Sequence, residues 1–142
     1  MWGEFFGVNI FFELNRKLAS LMSGQNNYEA MVREIHHVHK KDKPSGTALK
    51  LVEDILRSNP KKKDWKLAEQ NQKVSADELM VVAERIDEVP GFHEVKYTSD
   101  VDEVIITHNA NSRKGFALGA VLAAEWIQGK KGVFGMNDLL KL

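Results

Sequence analysis

The hydrophobic pattern changes period early in the chain, and that change limits the folds open to it. Val8, Phe11, Phe12, Leu14, Leu18, Leu21 and Met22 recur at helical spacing, with Asn9, Glu13, Arg16 and Lys17 between them. A helix ending near Gly24 is expected. From Tyr28 to Val38 the residues instead alternate, Ala30, Val32, Glu34 and His36 on one parity and Met31, Arg33, Ile35 and His37 on the other, which predicts a strand. Ala48, Leu49, Leu51, Val52, Ile55 and Leu56 then restore the helical interval, and Ser45 is placed to cap that helix.

Three β-rich runs follow: Leu79 to Ala83, His93 to Tyr97 after Pro90-Gly91, and Val101 to Thr107 after Ser99-Asp100. The turn chemistry between the last two predicts antiparallel pairing. Lys61-Lys62-Lys63-Asp64 reads as a solvated loop. Ser112 to Gln128 is helical again and apolar on more than one side, so it needs cover on both. The order helix, strand, helix, three strands, helix fits one α+β domain over residues 1–142, with helices layered on a mostly antiparallel sheet.

Composition narrows the function. Twenty basic and twenty acidic side chains cancel, so no global field draws the chain to nucleic acid or an anionic membrane. The absence of cysteine removes disulfides, thiolate metal sites and thiol nucleophiles. The opening Met1-Trp2-Gly3-Glu4-Phe5-Phe6 has no basic leader, and no apolar run is long enough to span a membrane. A cytoplasmic protein is expected.

One segment stands apart. Between His36 and Lys43 three histidines and three lysines crowd together, immediately before the turn Pro44-Ser45-Gly46-Thr47 and a helix start. His36 and Lys40 share a face in either an extended or a helical backbone, because a spacing of four satisfies both periods. The turn presents unpaired N–H groups at the mouth of a helix, where an anion is favoured. Imidazoles and ammonium groups beside it suit a small dianionic substrate, and crowding of like charge favours release of a proton. The plainer alternative is a solvated histidine loop followed by an ordinary cap. A metal is disfavoured, since His36 and His37 point to opposite faces of a strand and no carboxylate completes a set. His93 and His108 read as structural or surface residues.

The stretch His36-His37-Val38-His39-Lys40-Lys41-Asp42-Lys43-Pro44-Ser45-Gly46-Thr47-Ala48 resembles the signature of dihydrodipicolinate reductases, His-His-x-x-Lys-x-Asp-x-Pro-Ser-Gly-Thr-Ala, at all nine fixed places. Gly7-Val8-Asn9, the segment Ile106-Thr107-His108 through Ser112-Arg113 to Ala120, and Gly132-Val133-Phe134-Gly135-Met136 look like that family's C-terminal domain, so the resemblance runs from about Gly7 to Leu142. It implies His36 as acid-base residue, Lys40 as proton donor, and His37, Ser45, Gly46 and Thr47 as substrate-carboxylate binders. It also implies an NADPH- or NADH-dependent reductase of lysine biosynthesis, with an open sheet face used for subunit contacts in a homotetramer.

No strand followed by a glycine-rich turn and a helix is present, so the family's N-terminal nucleotide-binding domain is expected to be absent, and this chain to bind no cofactor and to be inactive alone. Arg113 is a further candidate for the closed site. The alternative is a non-catalytic oligomerisation module.

Overall fold

The computed structural model describes residues 6–142; Met1 to Phe5, whose composition argued against a leader, lie outside them. Helices α1 (Phe6–Met22) and α2 (Gly46–Ser58) form where the helical intervals placed them. α1 buries Val8, Phe11, Phe12 and Ala19 and leaves Leu14 and Leu21 exposed, so its inward stripe is narrower than its apolar content. It also buries Asn15, whose Nδ2 donates to the Leu51 carbonyl at 3.1 Å and ties α1 to α2.

Five strands form one sheet: β1 (Glu29–His36), β2 (Asp64–Leu67), β3 (Glu78–Arg85), β4 (Phe92–Thr98) and β5 (Glu103–Asn109), in the order β2-β3-β1-β4-β5. β1 pairs antiparallel with β4, and β4 with β5, whereas β1–β3 and β2–β3 are parallel. The sheet is therefore mixed, not mostly antiparallel as expected. The turn argument holds for β4 and β5, where the Ser99 amide donates to the Asp102 carbonyl at 2.9 Å. β3 and β4, consecutive in the chain, do not pair, because β1 lies between them. The chain leaves β1 through α2 before returning to the sheet, and a strand entered after such a crossover runs parallel to the first.

The covered face of the sheet is built in rows. Val81, Val32, Val95 and Ile106 are register partners across β3, β1, β4 and β5, and Leu51 and Ile55 of α2 with Phe11 and Phe12 of α1 close over them. One row toward the C-terminal end of β1 the composition turns polar: Glu34 stands opposite His93, and His93 opposite His108. No element of α1 or α2 covers the other face, where Ile105 remains 46% exposed.

Lys61, Lys63 and Asp64 are exposed as expected of a solvated run, but Lys62 between them is not. Lys62 is buried, its Nζ lying 2.8 Å from Glu29 Oε2, 2.8 Å from the Ala76 carbonyl and 3.1 Å from the Glu78 carbonyl. Desolvating an ammonium is costly, and here three acceptors meet its three donors. Strand β2 follows directly, a four-residue element the sequence pattern did not reveal.

Helix α3 (Lys114–Trp126) falls within the expected Ser112 to Gln128, and a short α4 (Met136–Leu140) ends the chain. The Trp126 and Phe134 rings meet edge to face at 5.3 Å and join α3 to the segment before α4. Leu118 and Val121 stay 62% and 52% exposed, so the two-sided cover that α3 asks for is not supplied by the described residues.

Candidate active site at the end of strand β1

Alternation along β1 sends Glu34 and His36 to the covered face, where both are buried, and the strand ends there. Glu34 is fully enclosed, yet its carboxylate is saturated with donors. Oε1 accepts from the Ser45 amide at 3.0 Å and from Arg85 Nη1 at 3.1 Å, and Oε2 meets His36 Nδ1 in a very short contact. Burial works against its charge, but the His36 hydrogen bond, the neighbouring His36 and Arg85 charges and the Ser45 amide together hold the carboxyl below its usual range.

Arg85, the last residue of β3, reaches back over the loop. Besides Glu34, its guanidinium donates to the Lys40 carbonyl at 3.1 Å, to the Asp42 carbonyl and to its neighbour's Glu84 carbonyl at 2.7 Å. The loop from His37 to Ser45 is thus held at two points, the Lys40 and Asp42 carbonyls, by one side chain. Within it the Lys40 amide donates to the His37 carbonyl at 3.1 Å, and the Lys43–Pro44 peptide bond is cis. Lys40 Nζ lies 2.9 Å from Asp42 Oδ1, and that hydrogen bond is the main reason the Asp42 carboxyl sits below its ordinary value.

Ser45 caps α2: its Oγ accepts from the Ala48 amide at 3.1 Å and lies 3.3 Å from His93 Nε2. With its amide on Glu34 and its hydroxyl in the cap, Ser45 is committed inside the protein. Among the described residues the first-turn amides of Gly46 and Thr47 have no intramolecular partner, as expected of helix N1 and N2. A β-carbon at Gly46 would meet nothing within 4 Å, so a ligand can approach its backbone. Gly46 also stands on the wall of a cavity of about 670 Å³ between α1, α2 and the Phe134 to Asp138 segment, with Asn9, Arg16 and Lys50.

His37 takes the opposite side of β1's end from His36, as strand alternation requires. Burial first, and the Arg113 guanidinium second, hold its imidazole below the ordinary range, and its Nδ1 is buried without a hydrogen-bond partner. Arg113 precedes α3 and so brings a second element to the loop. His39 is solvent-facing, 3.4 Å from an equally exposed Glu88.

Three residues here were not singled out in the sequence: Glu34, Arg85 and His93. His93 is no surface residue; it is buried, its ring centroid 5.0 Å from that of His36, and desolvation first, then the His36 charge, push its pKa down to about 3. Glu34, His36 and His93 even bring three donor atoms within 4.8 Å of one another, so a carboxylate that would complete a metal set does exist. Its oxygens are already taken by Arg85, Ser45 and His36, and a guanidinium at 3.1 Å opposes a second cation. Glu34 carried one signal in the sequence, its parity with His36 on a buried strand face.

The model of the dihydrodipicolinate reductase C-terminus family matches residues 7–140. The chain belongs to that family. Among curated relatives, the 4-hydroxy-tetrahydrodipicolinate reductase of Christiangramia forsetii is 51% identical over 134 residues, covering 94% of this chain and 54% of its own. The namesake enzyme of Aquifex aeolicus is 41% identical over 138 residues, covering 96% and 51%. This chain of the dihydrodipicolinate reductase family thus spans about half the length of the curated relatives it matches. Among solved structures, a dipicolinate-bound dihydrodipicolinate reductase from Paenisporosarcina sp. TG-14 superposes with a TM-score of 0.64 at 23% identity, over 92% of this chain and 51% of that one, which shows the shared fold.

Proposed function

We propose that the chain is the substrate-binding half of an NADPH- or NADH-dependent reductase that reduces 4-hydroxy-tetrahydrodipicolinate in the lysine and diaminopimelate pathway, and that it is inactive alone. The observation that carries this reading is the loop His37 to Thr47, which sets Lys40, His37 and the unpaired Gly46 and Thr47 amides around the end of β1, beside Arg113. These are donors and cations gathered at one end of the sheet, with Lys40 resting on Asp42 at 2.9 Å, and such a set is the chemistry that receives two carboxylates. In this reading the Gly46 and Thr47 amides take one carboxylate and His37 contributes to the other. Lys40, released from Asp42, protonates the reduced ring, and His36 is the acid-base residue behind it.

The described residues hold no strand, glycine-rich turn and helix of the kind that cradles a dinucleotide, and in this reading the nucleotide is held by a separate unit of the reductase, where it supplies the hydride. What these residues do themselves is bind, orient and deliver a proton.

Calorimetric titration with pyridine-2,6-dicarboxylate, alongside an NADPH oxidation assay, tests the proposal. Binding without turnover is expected, with affinity lost on Lys40→Ala. No binding at millimolar ligand would overturn it.

A second reading, an assembly module, is favoured by the uncovered sheet face around Ile105. It predicts a homotetramer by sedimentation with or without ligand; a monomer at all concentrations would remove it.

A further inference from the structure

Loop, helix cap and imidazole all converge on one ion pair, Glu34 with Arg85, which reaches the Lys40 backbone, the Ser45 amide and the His36 ring from beneath the site. We propose that Glu34 and Arg85 are the positioning residues of this site: Glu34 fixes the proton of the His36 ring on Nδ1, so that the neutral form is the Nδ1–H tautomer and Nε2 is the nitrogen that exchanges protons, and Arg85 fixes the backbone that carries Lys40.

The argument is one of hydrogen-bond accounting. A carboxylate can only accept, so the contact between Glu34 Oε2 and His36 Nδ1 requires the proton on Nδ1. Rotation cannot relieve that requirement, because Oε1 is already occupied by the Ser45 amide at 3.0 Å and Arg85 Nη1 at 3.1 Å. Full burial of Glu34 excludes water as a substitute partner. The other ring nitrogen, Nε2, faces Gly91, whose lack of a side chain leaves it room.

Arg85 completes the device from β3. Its fork spans Glu34, the Lys40 carbonyl and the Asp42 carbonyl, so the loop bearing Lys40 and the carboxylate orienting His36 move only together. A lysine there would keep the charge and lose the fork. The pair thus sets the relative placement of the proton donor and the acid-base residue, a distance that catalysis requires to be held closely.

This inference rests on the proposed substrate site for its purpose but not for its test. In chain labelled with 15N-histidine, long-range 1H–15N correlation at neutral to mildly alkaline pH reads the tautomer, with His36→Gln assigning the signal. The unmodified chain is expected to show His36 protonated at Nδ1. In Glu34→Gln the amide oxygen must stay with Ser45 and Arg85, which turns the NH2 toward His36 and should invert the tautomer to Nε2–H. A proton on Nε2 in the unmodified chain overturns the proposal outright, even if the Gln variant fails to fold. So does a folded Gln variant that keeps the parent tautomer.

In Arg85→Lys the amide resonances of the loop from Lys40 to Ser45 should shift or broaden while those of α1 stay put, and pyridine-2,6-dicarboxylate affinity should fall about tenfold, the scale typical of lost supporting-shell contacts. Unchanged loop resonances would overturn Arg85's part. Should the unmodified chain bind no dicarboxylate, the substrate reading fails and the tautomer still decides this one.

Discussion

Gly91 stands where a side chain would press on the His36 ring: a β-carbon there would lie 3.2 Å from His36 Nε2. The backbone at Gly91 is held by its carbonyl, which accepts from the Ala110 amide at 2.8 Å, and the ring is held on its far side by Glu34. Neither yields freely. Gly91→Ala should therefore cost about 1 kcal/mol or more of stability, as overpacking does, and displace the imidazole. Urea denaturation checks the first outcome and the His36 ring resonances the second; a variant with both unchanged would show that the ring has slack.

Ser45→Ala removes the acceptor for the Ala48 amide and the neighbour of His93 Nε2 at a position that is 2% exposed. The loss should reach the upper part of the usual capping range, about 2 kcal/mol, because no water reaches the site to replace the hydroxyl. Thermal unfolding would reveal it. A loss within about 0.5 kcal/mol would mean that α2 does not depend on this cap.

Acid should destabilise the fold through His93 well before the carboxylates titrate. Its folded pKa, about 3, lies below the unfolded value of 6.5, so the unfolded chain binds the extra proton between those limits and stability falls as pH drops below 6.5. Between pH 6.5 and 5 the loss from this one group should be about 2 kcal/mol. Glu34 acts in the same direction lower down, where its depressed carboxyl is finally protonated. Unfolding free energy measured at both pH values tests this, with His93→Gln expected to flatten the dependence.

Lys62→Met keeps the stem of a buried side chain and deletes its ammonium. Because Glu29 is 74% exposed, little of the loss should be Coulombic; most comes from the Ala76 and Glu78 carbonyls left without a donor. A destabilisation of about 2–3 kcal/mol is expected, and Glu29→Gln should cost far less. Equal losses in the two variants would place the energy in the ion pair instead.

Local pattern was sufficient for elements whose signal is carried within a few residues. The helical interval of Val8 to Met22 and of Ala48 to Leu56, the alternation of β1 and the Ser99–Asp102 turn all formed as expected, since one period or one turn specifies each. The His36 to Ala48 signature was equally visible, being contiguous. β2 was not, because a four-residue strand of Asp64, Trp65, Lys66 and Leu67 exists only by pairing with β3.

What the sequence by itself determined was therefore the α+β class, helices α1 to α3, most strands and the segment proposed to carry the chemistry. Tertiary structure decided the rest: that β1 is central and parallel to β3, that Lys62 is buried, and that Glu34, Arg85 and His93 gather behind His36 from three strands. The physical reason is common to all three. Parallel pairing, burial of a charge and satisfaction of a buried carboxylate depend on partners far apart in the chain, 51 residues apart for Glu34 and Arg85, and a residue's own neighbourhood carries no record of a partner at that range.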